Sequence, residues 1–534
     1  MNINNELCAL CALCGELFML KTEVVVIGGG ATGAGVLRDL ALRGIDAILL
    51  EKRELTSGTS GRNHGLLHSG GRYAVNDPDS GRECLAENLI LKKIAAPCLE
   101  PCGGFFIALP EDPADYPDRF LRACEHLGIP AREISPLDAL QKEPALSPRI
   151  TRAIHVPDGS LDPFRLIRAN VEDAETHGAR FFPHREVIEI LKDRDAVKGV
   201  KVKDSQTGEV FPIHSRFVVN AAGIWAGKIA RLAGASLEVL FSKGSLIVLS
   251  RRLVNTVINR CRPPSSGDIL VPNGPALILG TTSKTVKEIE NPVPDEEEVD
   301  LLIVEGEKMV PEVPLTRAIR AYAGIRPLMG AREGREDGRE ISRDFLSLNH
   351  RQTDGVKGFF SIVGGKLTTY RLMAETVVDD LLEDLGRSSP CVTAERSLPF
   401  PKGYGFQDLG AKLEGLAKAG TSRGTQEIFC ECELVSRREI SQEIQKLAHP
   451  SLNELQQRTR AGMGPCQGGF CSHRLAAMLS EAGKVTPAES LPLLINFLEE
   501  RWKGIRPVLW GPQLREEQLI QALYTEMFNL DHQE

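Results

Sequence analysis

The sequence has no apolar run of about 18 residues, the length at which a stretch becomes a candidate membrane-spanning helix. Any association with a membrane is therefore expected to be peripheral or to depend on a partner. The chain also lacks an excess of positive charge, because 64 Lys and Arg face 72 Asp and Glu, for a net charge of −8. Without a broad cationic surface to neutralise phosphates, a nucleic-acid-binding function is not expected.

The first residues also lack the basic start of a secretory signal, and no internal repeat or low-complexity segment is present. Thirteen cysteines, an odd number, are spread through 534 residues. This usage favours a reducing compartment with metal-binding or structural thiols over a disulfide framework, so we expect a cytoplasmic protein. Cys8, Cys11 and Cys14 imitate part of an iron–sulfur run but lack its fourth Cys and following Pro. We interpret residues 1–21 as an N-terminal extension.

A chain of this length is expected to form about two or three domains. Near the start, a buried strand over Glu23–Ile27, a helix over Ala31–Arg43 and a second strand over Ile45–Leu50 form a predicted βαβ unit. Later strand-like runs end in Asn220 and Val363 and are each followed by a Gly motif and a helical pattern. The nucleotide-binding domain is thus predicted to be discontinuous, with a substrate domain inserted at roughly 100–160 and 240–345.

The glycines of the first strand–helix turn, Gly28, Gly30 and Gly33, form a dinucleotide-binding pattern. They allow a tight turn, close approach of the backbone to a pyrophosphate, and packing of the helix on the strand. The helix N-terminus would then face the anion. Glu51 ends the next strand, where its carboxylate would bind ribose hydroxyls and repel a 2′-phosphate. At this point both FAD and NAD remain open.

Three further segments favour FAD. A long polar, Gly-rich loop follows Glu51 over residues 56–65, a second small-residue turn follows Asn220, and Gly364 opens a late helix whose N–H groups could stabilise a negative flavin. The candidate cofactor contacts in these segments are Thr59, Ser60, Asn63, Ala222, Gly223, Gly365, Leu367 and Thr368.

Four C-terminal cysteines form a candidate metal site of the pattern Cys-x-Cys and Cys-x4-Cys: Cys430, Cys432, Cys466 and Cys471. The Gly-rich second loop offers backbone N–H groups that can approach sulfur, which suits an iron–sulfur cluster. Structural zinc is the main alternative, although zinc pairs are usually separated by two to four residues. The module resembles the bacterioferritin-associated ferredoxin type of [2Fe-2S] domain.

Five motifs carry a wider resemblance: VIGGGATGAG, TSGRNHGLLHSGGRYAV, YAGIRPL, ISRDF and GGKLTTYRLMAE. They resemble the FAD-dependent glycerol-3-phosphate dehydrogenases, and the GRNHGLLHSG form is most similar to the large catalytic (A-type) subunits of the anaerobic enzymes. The match begins near residue 22 and covers nearly all the rest. It implies an α/β fold: a Rossmann-like FAD domain of the amino-acid-oxidase type, an inserted α+β substrate domain, and a small C-terminal [2Fe-2S] domain.

The resemblance also implies site residues. Arg72, Tyr73 and Arg343 would bind the phosphate of glycerol 3-phosphate, and Arg326 and Lys366 would lie nearer the reacting carbon. An Arg fork suits a phosphate because it binds two oxygens. Hydride would pass from C2 to FAD, and the hydroxyl proton to a base. His64, His68 and Lys366 are the candidates for that base, and the sequence does not choose among them.

The implied partners are companion subunits, including a membrane-anchoring iron–sulfur subunit, with a quinone as final acceptor in anaerobic respiration. We therefore expect peripheral association with the inner membrane. The predicted domains are residues 22–388 for the oxidoreductase, 389–427 for a linker, 428–482 for the cluster domain, and 483–534 for a partner or packing segment. Two alternatives remain: a same-fold dehydrogenase of a 2-hydroxy acid or secondary amine, and an electron-relay module without turnover.

Overall fold

The computed structural model describes residues 20–329, 344–400, 405–406, 410, 412–414, 427–447 and 449–527. The predicted site residue Arg343 and the early cysteines Cys8, Cys11 and Cys14 lie outside these residues. In the part of the chain that the structure describes, no helix combines the length and apolar character needed to cross a bilayer.

The first sheet has eight strands, five of which form its parallel centre in the order β9-β2-β1-β12-β20. Its strands are β1 (Leu20–Ile27), β2 (Ala47–Leu50), β9 (Arg180–Phe182), β10 (Arg185–Asp193), β11 (Ala196–Asp204), β12 (Val210–Asn220), β19 (Phe345–Asn349) and β20 (Phe359–Gly364). The chain leaves β1 to one side for β2 and later returns on the other side as β12. Open sheets bind ligands at the carboxyl ends of strands where the strand order reverses in this way.

The second sheet has nine mostly antiparallel strands in the order β17-β13-β16-β15-β14-β5-β7-β6, with β18 paired to the other side of β13. Its strands are β5 (Gly104–Ala108), β6 (Arg132–Ile134), β7 (Arg152–Val156), β13 (Leu240–Leu249), β14 (Val257–Arg260), β15 (Ile269–Asn273), β16 (Ala276–Gly280), β17 (Lys284–Thr285) and β18 (Ala318–Leu328). A separate small sheet has three strands in the order β3 (Leu66–Leu67), β8 (Gly159–Leu161) and β4 (Leu99–Glu100). In sequence, β3 and β4 precede β5, and β8 follows it.

Helices cover both faces of the first sheet and, around Gly104–Ala108, both faces of the second. They are α1 (Ala31–Leu42), α2 (Pro78–Ile94), α3 (Tyr116–Leu127), α4 (Pro136–Lys142), α5 (Pro163–Thr176), α6 (Ala226–Ala233), α7 (Glu296–Met309), α8 (His350–Thr353) and α9 (Tyr370–Leu385). The main core lies between the first sheet and helices α1, α5 and α9, where Leu37, Leu40 and Val377 are fully buried. Each such side chain contributes about 1.5–3 kcal/mol by its removal from water.

The strands near the chain start are parallel and buried on both sides, which explains why they read as continuous apolar runs rather than alternating ones. The predicted strand–helix–strand unit is confirmed as β1, α1 and β2. Gly44 (φ +73°) follows α1 and turns the chain into β2, as its sequence position indicated.

The C-terminal module is built from a two-stranded hairpin, β21 (Ile428–Cys430) and β22 (Val435–Ser436), and from five helices. The helices are α10 (Arg437–Lys446), α11 (Leu452–Thr459), α12 (Ser472–Glu481), α13 (Pro487–Ile505) and α14 (Pro512–Met527). Phe497 and Tyr524 share one apolar core with Cys430 and Cys471. The last two helices therefore pack as part of the module that carries the cysteines.

Candidate active site and cysteine cluster

A cavity of about 950 Å³ opens at the carboxyl ends of β1, β12 and β20 and extends to the second sheet. Gly28, Ala221 and Gly364, which end or follow these strands, all line it. Its size and its place at the point of strand reversal are those of a nucleotide-cofactor site. All predicted cofactor-contact and catalytic residues in the described part of the chain line this cavity, except Gly33, which lies behind it in α1.

The glycine turn is required by the backbone around it. Gly28 has φ +113°, and a Cβ there would lie 2.6 Å from the carbonyl oxygen of Ala221. A Cβ at Gly33 would lie 1.9 Å from the carbonyl oxygen of Gly28. Only glycine permits this packing of helix on strand, and the turn brings the N-terminus of α1 to the cavity.

Glu51 is held by the same turn. Its two carboxylate oxygens accept hydrogen bonds from the backbone N–H groups of Gly29 (2.7 Å) and Arg53 (2.9 Å). Burial raises the pKa of this carboxyl above its ordinary value, while the two hydrogen bonds act in the opposite direction. Each oxygen retains a further acceptor position, so the residue is suited to ribose hydroxyls as its sequence position predicted.

The loop after Glu51 uses much of its polar chemistry to hold its own shape. Thr59 Oγ1 donates to the carbonyl of Ile325 in β18 (2.6 Å), and Asn63 Nδ2 donates to the carbonyl of Ser60 (2.6 Å). Ser60 Oγ in turn accepts from the N–H of Ala31, at the start of α1 (3.0 Å). These side chains thus join the loop to both sheets around the cavity.

The far end of the cavity carries a contact that the sequence did not indicate. Trp225, just after Ala222 and Gly223, donates from its indole Nε1 to Glu290 of the second sheet's domain (2.7 Å). Lys52 Nζ lies 3.7 Å from the centre of the same ring. The contact spans two distant segments, and no local motif in the sequence marks it.

His64 is a neutral hydrogen-bond donor in this arrangement. The N–H of Leu66 donates to its Nδ1 (3.1 Å), so Nδ1 must keep its lone pair and the ring proton lies on Nε2. Burial, together with the positive charges of Arg326 and Arg72, lowers the pKa of His64 to about 3. The ring is therefore uncharged throughout the ordinary pH range.

His68 and Lys366 lie beside it around one aromatic ring. The His68 ring is 5.2 Å from that of Tyr73 and 5.8 Å from that of His64. Lys366 Nζ lies 5.3 Å from the Tyr73 ring centre, donates to Ser80 Oγ (2.9 Å) and is 3.9 Å from the Glu83 carboxylate. The structure brings the three candidate bases together.

Gly365 (φ +69°), Leu367 and Thr368 form the turn that leads into α9. Gly364 (φ +92°) precedes them in β20, and a Cβ there would lie 2.6 Å from the Asp344 carbonyl oxygen. Thr368 Oγ1 accepts a hydrogen bond from the N–H of His68 (3.3 Å). This turn therefore joins α9 to the segment that carries His68.

Two arginines, Arg72 and Arg326, line the cavity, and we call the part around Arg72 the cationic pole. Arg72 Nη2 lies 3.2 Å from Oδ2 of Asp268, a fully buried carboxylate that also accepts from Arg262 and from the N–H of Ser265. Asp268 thus fixes the Arg72 head and the adjoining loop together. Sequence reasoning missed it, because a single Asp before a strand carries no distinctive pattern.

Arg326 in β18 is positioned by the second sheet. It donates to Thr281 Oγ1 (2.6 Å) and to the carbonyl of Thr282 (3.1 Å). In the register of β13 and β18, Arg326 pairs with Ser242 and Gly244 lies two residues farther along β13, where a Cβ would be 2.3 Å from Arg326 Nη2. The absent side chain makes room for the guanidinium at the cavity wall.

The four predicted metal-ligand cysteines come together in the C-terminal module. Cys432 Sγ lies 3.8 Å from Cys430 Sγ and 3.6 Å from Cys466 Sγ. Hydrogen bonds from Cys432 and Cys471 and the N–H groups of Gly462 and Glu433 hold the pKa of the Cys430 thiol far below its ordinary value.

The loop that carries the last two cysteines is also suited to a thiolate-bound group. Cys432 and the N–H groups of Phe470 and Gly468 lower the pKa of Cys466 to about 6. A Cβ at Gly464 would lie 2.5 Å from Cys432 Sγ. Thiolates surrounded by backbone N–H donors fit a [2Fe-2S] cluster, which these four residues would hold.

The cysteines outside the quartet include four buried or half-buried thiols. Burial raises the pKa of Cys84, Cys102, Cys124 and Cys261 to about 12 in each case, so they remain thiols at neutral pH. Cys84, Cys124 and Cys261 are fully buried, as expected for small apolar side chains.

The cysteine module contacts the second sheet's domain through Arg460, a residue that is 7% exposed. Its Nε donates to Glu433, the neighbour of Cys432, over 2.9 Å, and its Nη2 donates to Asn273 of β15 over 2.8 Å. Asn273 lies against Gly65 of the cavity loop. This connection was not predicted, because its residues come from three separate parts of the chain.

Comparison with known proteins identifies both modules. The family model described as FAD dependent oxidoreductase matches residues 23–371, and the one described as BFD-like [2Fe-2S] binding domain matches residues 428–481. The predicted fold class and the predicted cofactors, FAD and a [2Fe-2S] cluster, are confirmed.

Curated relatives cover nearly the whole chain. The A-type subunit of the anaerobic glycerol-3-phosphate dehydrogenase of Escherichia coli is 44% identical over 96% of this chain and 98% of its own length. The corresponding A1-type subunit of the Haloferax volcanii enzyme is 42% identical over 95% of this chain and 91% of its own length.

Solved structures show the same fold. The glycerol-3-phosphate dehydrogenase of Bacillus halodurans complexed with FAD has a TM-score of 0.66 and 21% identity, and the match covers 92% of this chain and 96% of that one. The L-alpha-glycerophosphate oxidase of Mycoplasma pneumoniae with FAD bound has a TM-score of 0.59 and 19% identity, over 72% of this chain and 100% of that one.

Proposed function

This chain belongs to the family of A-type subunits of anaerobic glycerol-3-phosphate dehydrogenases, and from that membership we propose that it oxidises sn-glycerol 3-phosphate to dihydroxyacetone phosphate. FAD, when bound, supplies the hydride acceptor. The observation that carries the proposal is the likeness to those subunits over both modules, joined to a cavity with a cationic pole.

The cationic pole would bind the phosphate of the substrate. Arg72 offers a guanidinium held by buried Asp268, and Tyr73 and Ser265 line the same pole. We propose that Arg72 and Tyr73 bind the phosphate, assisted by Arg343 as the sequence predicts. Arg326 and Lys366 would then bind the hydroxyl end and hold C2 in position for hydride transfer, which is the main requirement of this reaction.

We further propose that His64 donates a hydrogen bond from Nε2 and does not act as the base. Its Nδ1 lone pair is engaged by the N–H of Leu66, and its pKa of about 3 makes it a weak proton acceptor. His68 and Lys366 remain the candidates that take the hydroxyl proton.

Two substitutions at His64 separate these roles. Gln keeps an acceptor for Leu66 and an N–H donor in place of Nε2–H, so we expect kcat of His64→Gln to stay within about threefold of the parent. His64→Leu removes the donor and should lower kcat about 10- to 150-fold, the equivalent of one hydrogen bond between a neutral and a charged group. If His64 were the base, the Gln variant would lose about 10²–10⁴-fold, so steady-state kcat of both variants decides the assignment.

The direct test of the proposed reaction is anaerobic bleaching of the flavin absorbance by glycerol 3-phosphate. A 2-hydroxy acid and a secondary amine, added separately, are the controls for the same-fold alternatives. Bleaching by either control and not by glycerol 3-phosphate would reject the proposed substrate. No bleaching by any of them in flavin-loaded protein would favour the electron-relay alternative.

We propose that electrons leave the flavin through the [2Fe-2S] cluster, towards companion subunits and a membrane quinone. The Arg460 contact supports this route, because it joins the neighbour of Cys432 to a residue lying against the cavity loop. The protein would then be cytoplasmic and attached to the inner membrane through its partners.

Loss of the Arg460 side chain should weaken this junction. Arg460→Met leaves the Glu433 carboxylate, which is 1% exposed, without its closest cation, and breaking a buried ion pair in this way costs about 3–5 kcal/mol. We expect a lower melting temperature for Arg460→Met and partial recovery in Arg460→Met/Glu433→Gln, where the charge is removed as well. Equal melting temperatures for the parent and Arg460→Met would show that the contact does not stabilise the module.

A further inference from the structure

We propose that the surface around Phe470 is the docking site for a protein that carries its own one-electron redox centre and takes electrons from the cluster. We call this surface the exit patch and define it as Phe470, Ile428, Glu431 and Arg474. The inference rests on the proposed function, because it assigns the place where electrons leave the chain.

The exit patch is built on the cysteine loops themselves. Phe470 immediately precedes Cys471 and is 70% exposed, and Ile428 is 37% exposed two residues before Cys430. Glu431 lies between Cys430 and Cys432. A large aromatic side chain left in water on a ligand loop is unfavourable for the isolated chain, and aromatic residues of this kind are enriched as anchors in protein interfaces.

The two cysteine loops differ in their surroundings. Glu433, the residue after Cys432, is 1% exposed and is held by Arg460, which also contacts Asn273 of the second sheet's domain. Phe470, the residue before Cys471, is 70% exposed. An acceptor seated on Phe470 would therefore contact the ligand loop without breaking the Arg460 contact.

The geometry of the exit patch is ordered rather than loose. Arg474 Nε donates to the carbonyl of Phe470 (3.0 Å), its Nη2 donates to Glu431 (3.0 Å), and its guanidinium stacks 4.9 Å from the Phe429 ring centre. These contacts hold the backbone of the ligand loop, so Phe470 is presented from a fixed position. A pre-organised anchor of this kind loses little conformational entropy on binding.

The charges around the anchor favour a protein over a lipid surface. The rim mixes both signs of charge. Glu427 and Glu431 are exposed, and Arg474 pairs with Glu431. Arg437 lies next to the strand partner of Ile428 and pairs with Glu481, and the exposed Arg438 follows it. Anionic membranes attract clusters of Lys and Arg with an excess of positive charge, whereas carboxylates stand beside the cations here. An apolar centre with a small, mixed-charge rim matches the anatomy of a protein–protein interface.

The electron balance requires such a partner. Oxidation of one glycerol 3-phosphate to the ketone releases two electrons and two protons. A [2Fe-2S] cluster would pass these electrons singly, so each would reduce one oxidised one-electron centre. The two centres would belong to two partner molecules, or to one partner that the quinone reoxidises between the transfers. The two protons would go to the solvent through the base and the flavin.

The test uses the full chain with both cofactors, expressed in its own host without the native copy. Glycerol 3-phosphate oxidation is measured with a small dye, phenazine methosulfate, and with host membranes plus a short-chain quinone. The variants are Phe470→Glu, Phe470→Tyr, and the matched control Leu315→Glu, whose apolar side chain is 85% exposed on the second sheet's domain. Iron content and cluster spectra report on folding of the ligand loop.

We expect Phe470→Glu to lower the membrane-coupled rate at least tenfold while its dye rate, iron content and spectrum stay unchanged. Phe470→Tyr and Leu315→Glu should retain both rates. An unchanged membrane-coupled rate in Phe470→Glu overturns the exit patch, and so does a Leu315→Glu effect of the same size. If the parent protein does not reduce the dye, the proposed function itself is rejected. This result differs from the two that overturn the exit patch, so the two failures can be told apart.

Two further measurements test whether the exit patch binds something other than a redox protein. Binding of the parent to protein-free vesicles of anionic lipid, abolished by Phe470→Glu, would identify a lipid surface and overturn the proposal. A parent dimer that becomes a monomer in Phe470→Glu, measured by analytical ultracentrifugation, would identify a second copy of this chain and overturn it as well.

Discussion

Replacing Arg72 with Ala should raise the KM for glycerol 3-phosphate steeply while FAD stays bound. Arg72 lines the cavity, where it pairs with Asp268, and is not one of the predicted cofactor contacts, so we expect its loss to leave FAD binding intact. A charge-assisted hydrogen bond contributes about 2–3 kcal/mol, which corresponds to roughly 30- to 150-fold in kcat/KM. Steady-state kinetics with a dye acceptor, together with the flavin-to-protein ratio, measure both parts of the expectation.

Asp268 supplies a control for the cause of this effect. Asp268→Asn keeps the size of the side chain but weakens its hold on Arg72 and on the N–H of Ser265. A smaller loss in the same direction is expected, because Arg72 remains present but is less well oriented. An Arg72→Ala variant with an unchanged KM would remove Arg72 from the phosphate site.

Restoration by Lys gives a second control. Lys carries the charge of Arg but binds a phosphate as a point charge and cannot offer the planar fork. Arg72→Lys should therefore lie between the parent and Arg72→Ala in KM. If Arg72→Lys and Arg72→Ala behave identically, the geometry of the fork matters and the charge alone does not.

The parts of this fold that the sequence predicted well are those encoded by local patterns. The glycine turn at Gly28 and Gly33 depends only on the neighbouring strands and helix. The local sequence pattern predicts these elements as well as the turn. The cysteine spacing likewise brings Cys430 and Cys432 together through one hairpin. In each case the physical requirement acts over a few residues, so it leaves a readable trace.

The parts that were not predicted depend on contacts between distant segments. Asp268 orients Arg72 across 196 positions of sequence, and Arg460 joins Asn273 across 187. An isolated Asp or Arg in a sequence is indistinguishable from a surface residue until the fold places a partner opposite it. The same reason explains His64, since only the N–H of Leu66 in its folded position shows which ring nitrogen carries the proton.

Removing one cluster ligand should separate substrate oxidation from electron delivery. Cys466→Ala leaves three sulfurs, and we expect the iron content and the cluster spectrum to be lost. Reduction of the flavin by glycerol 3-phosphate should stay within about threefold, since the cavity is formed by another domain. The membrane-coupled rate should fall more than about 100-fold, because the electrons of the flavin would have no other centre through which to reach the partner.

Cys102→Ala is the matched control for this experiment. Its thiol is half-buried like that of Cys466, but it packs against Val257 and Val271 in the second sheet's domain. It should keep iron and both rates, because it does not belong to the four clustered sulfurs. A membrane-coupled rate that survives in Cys466→Ala would mean that electrons leave the flavin directly. In that case the exit patch would also lose its basis, since its place on the cysteine loops would no longer lie on the electron route.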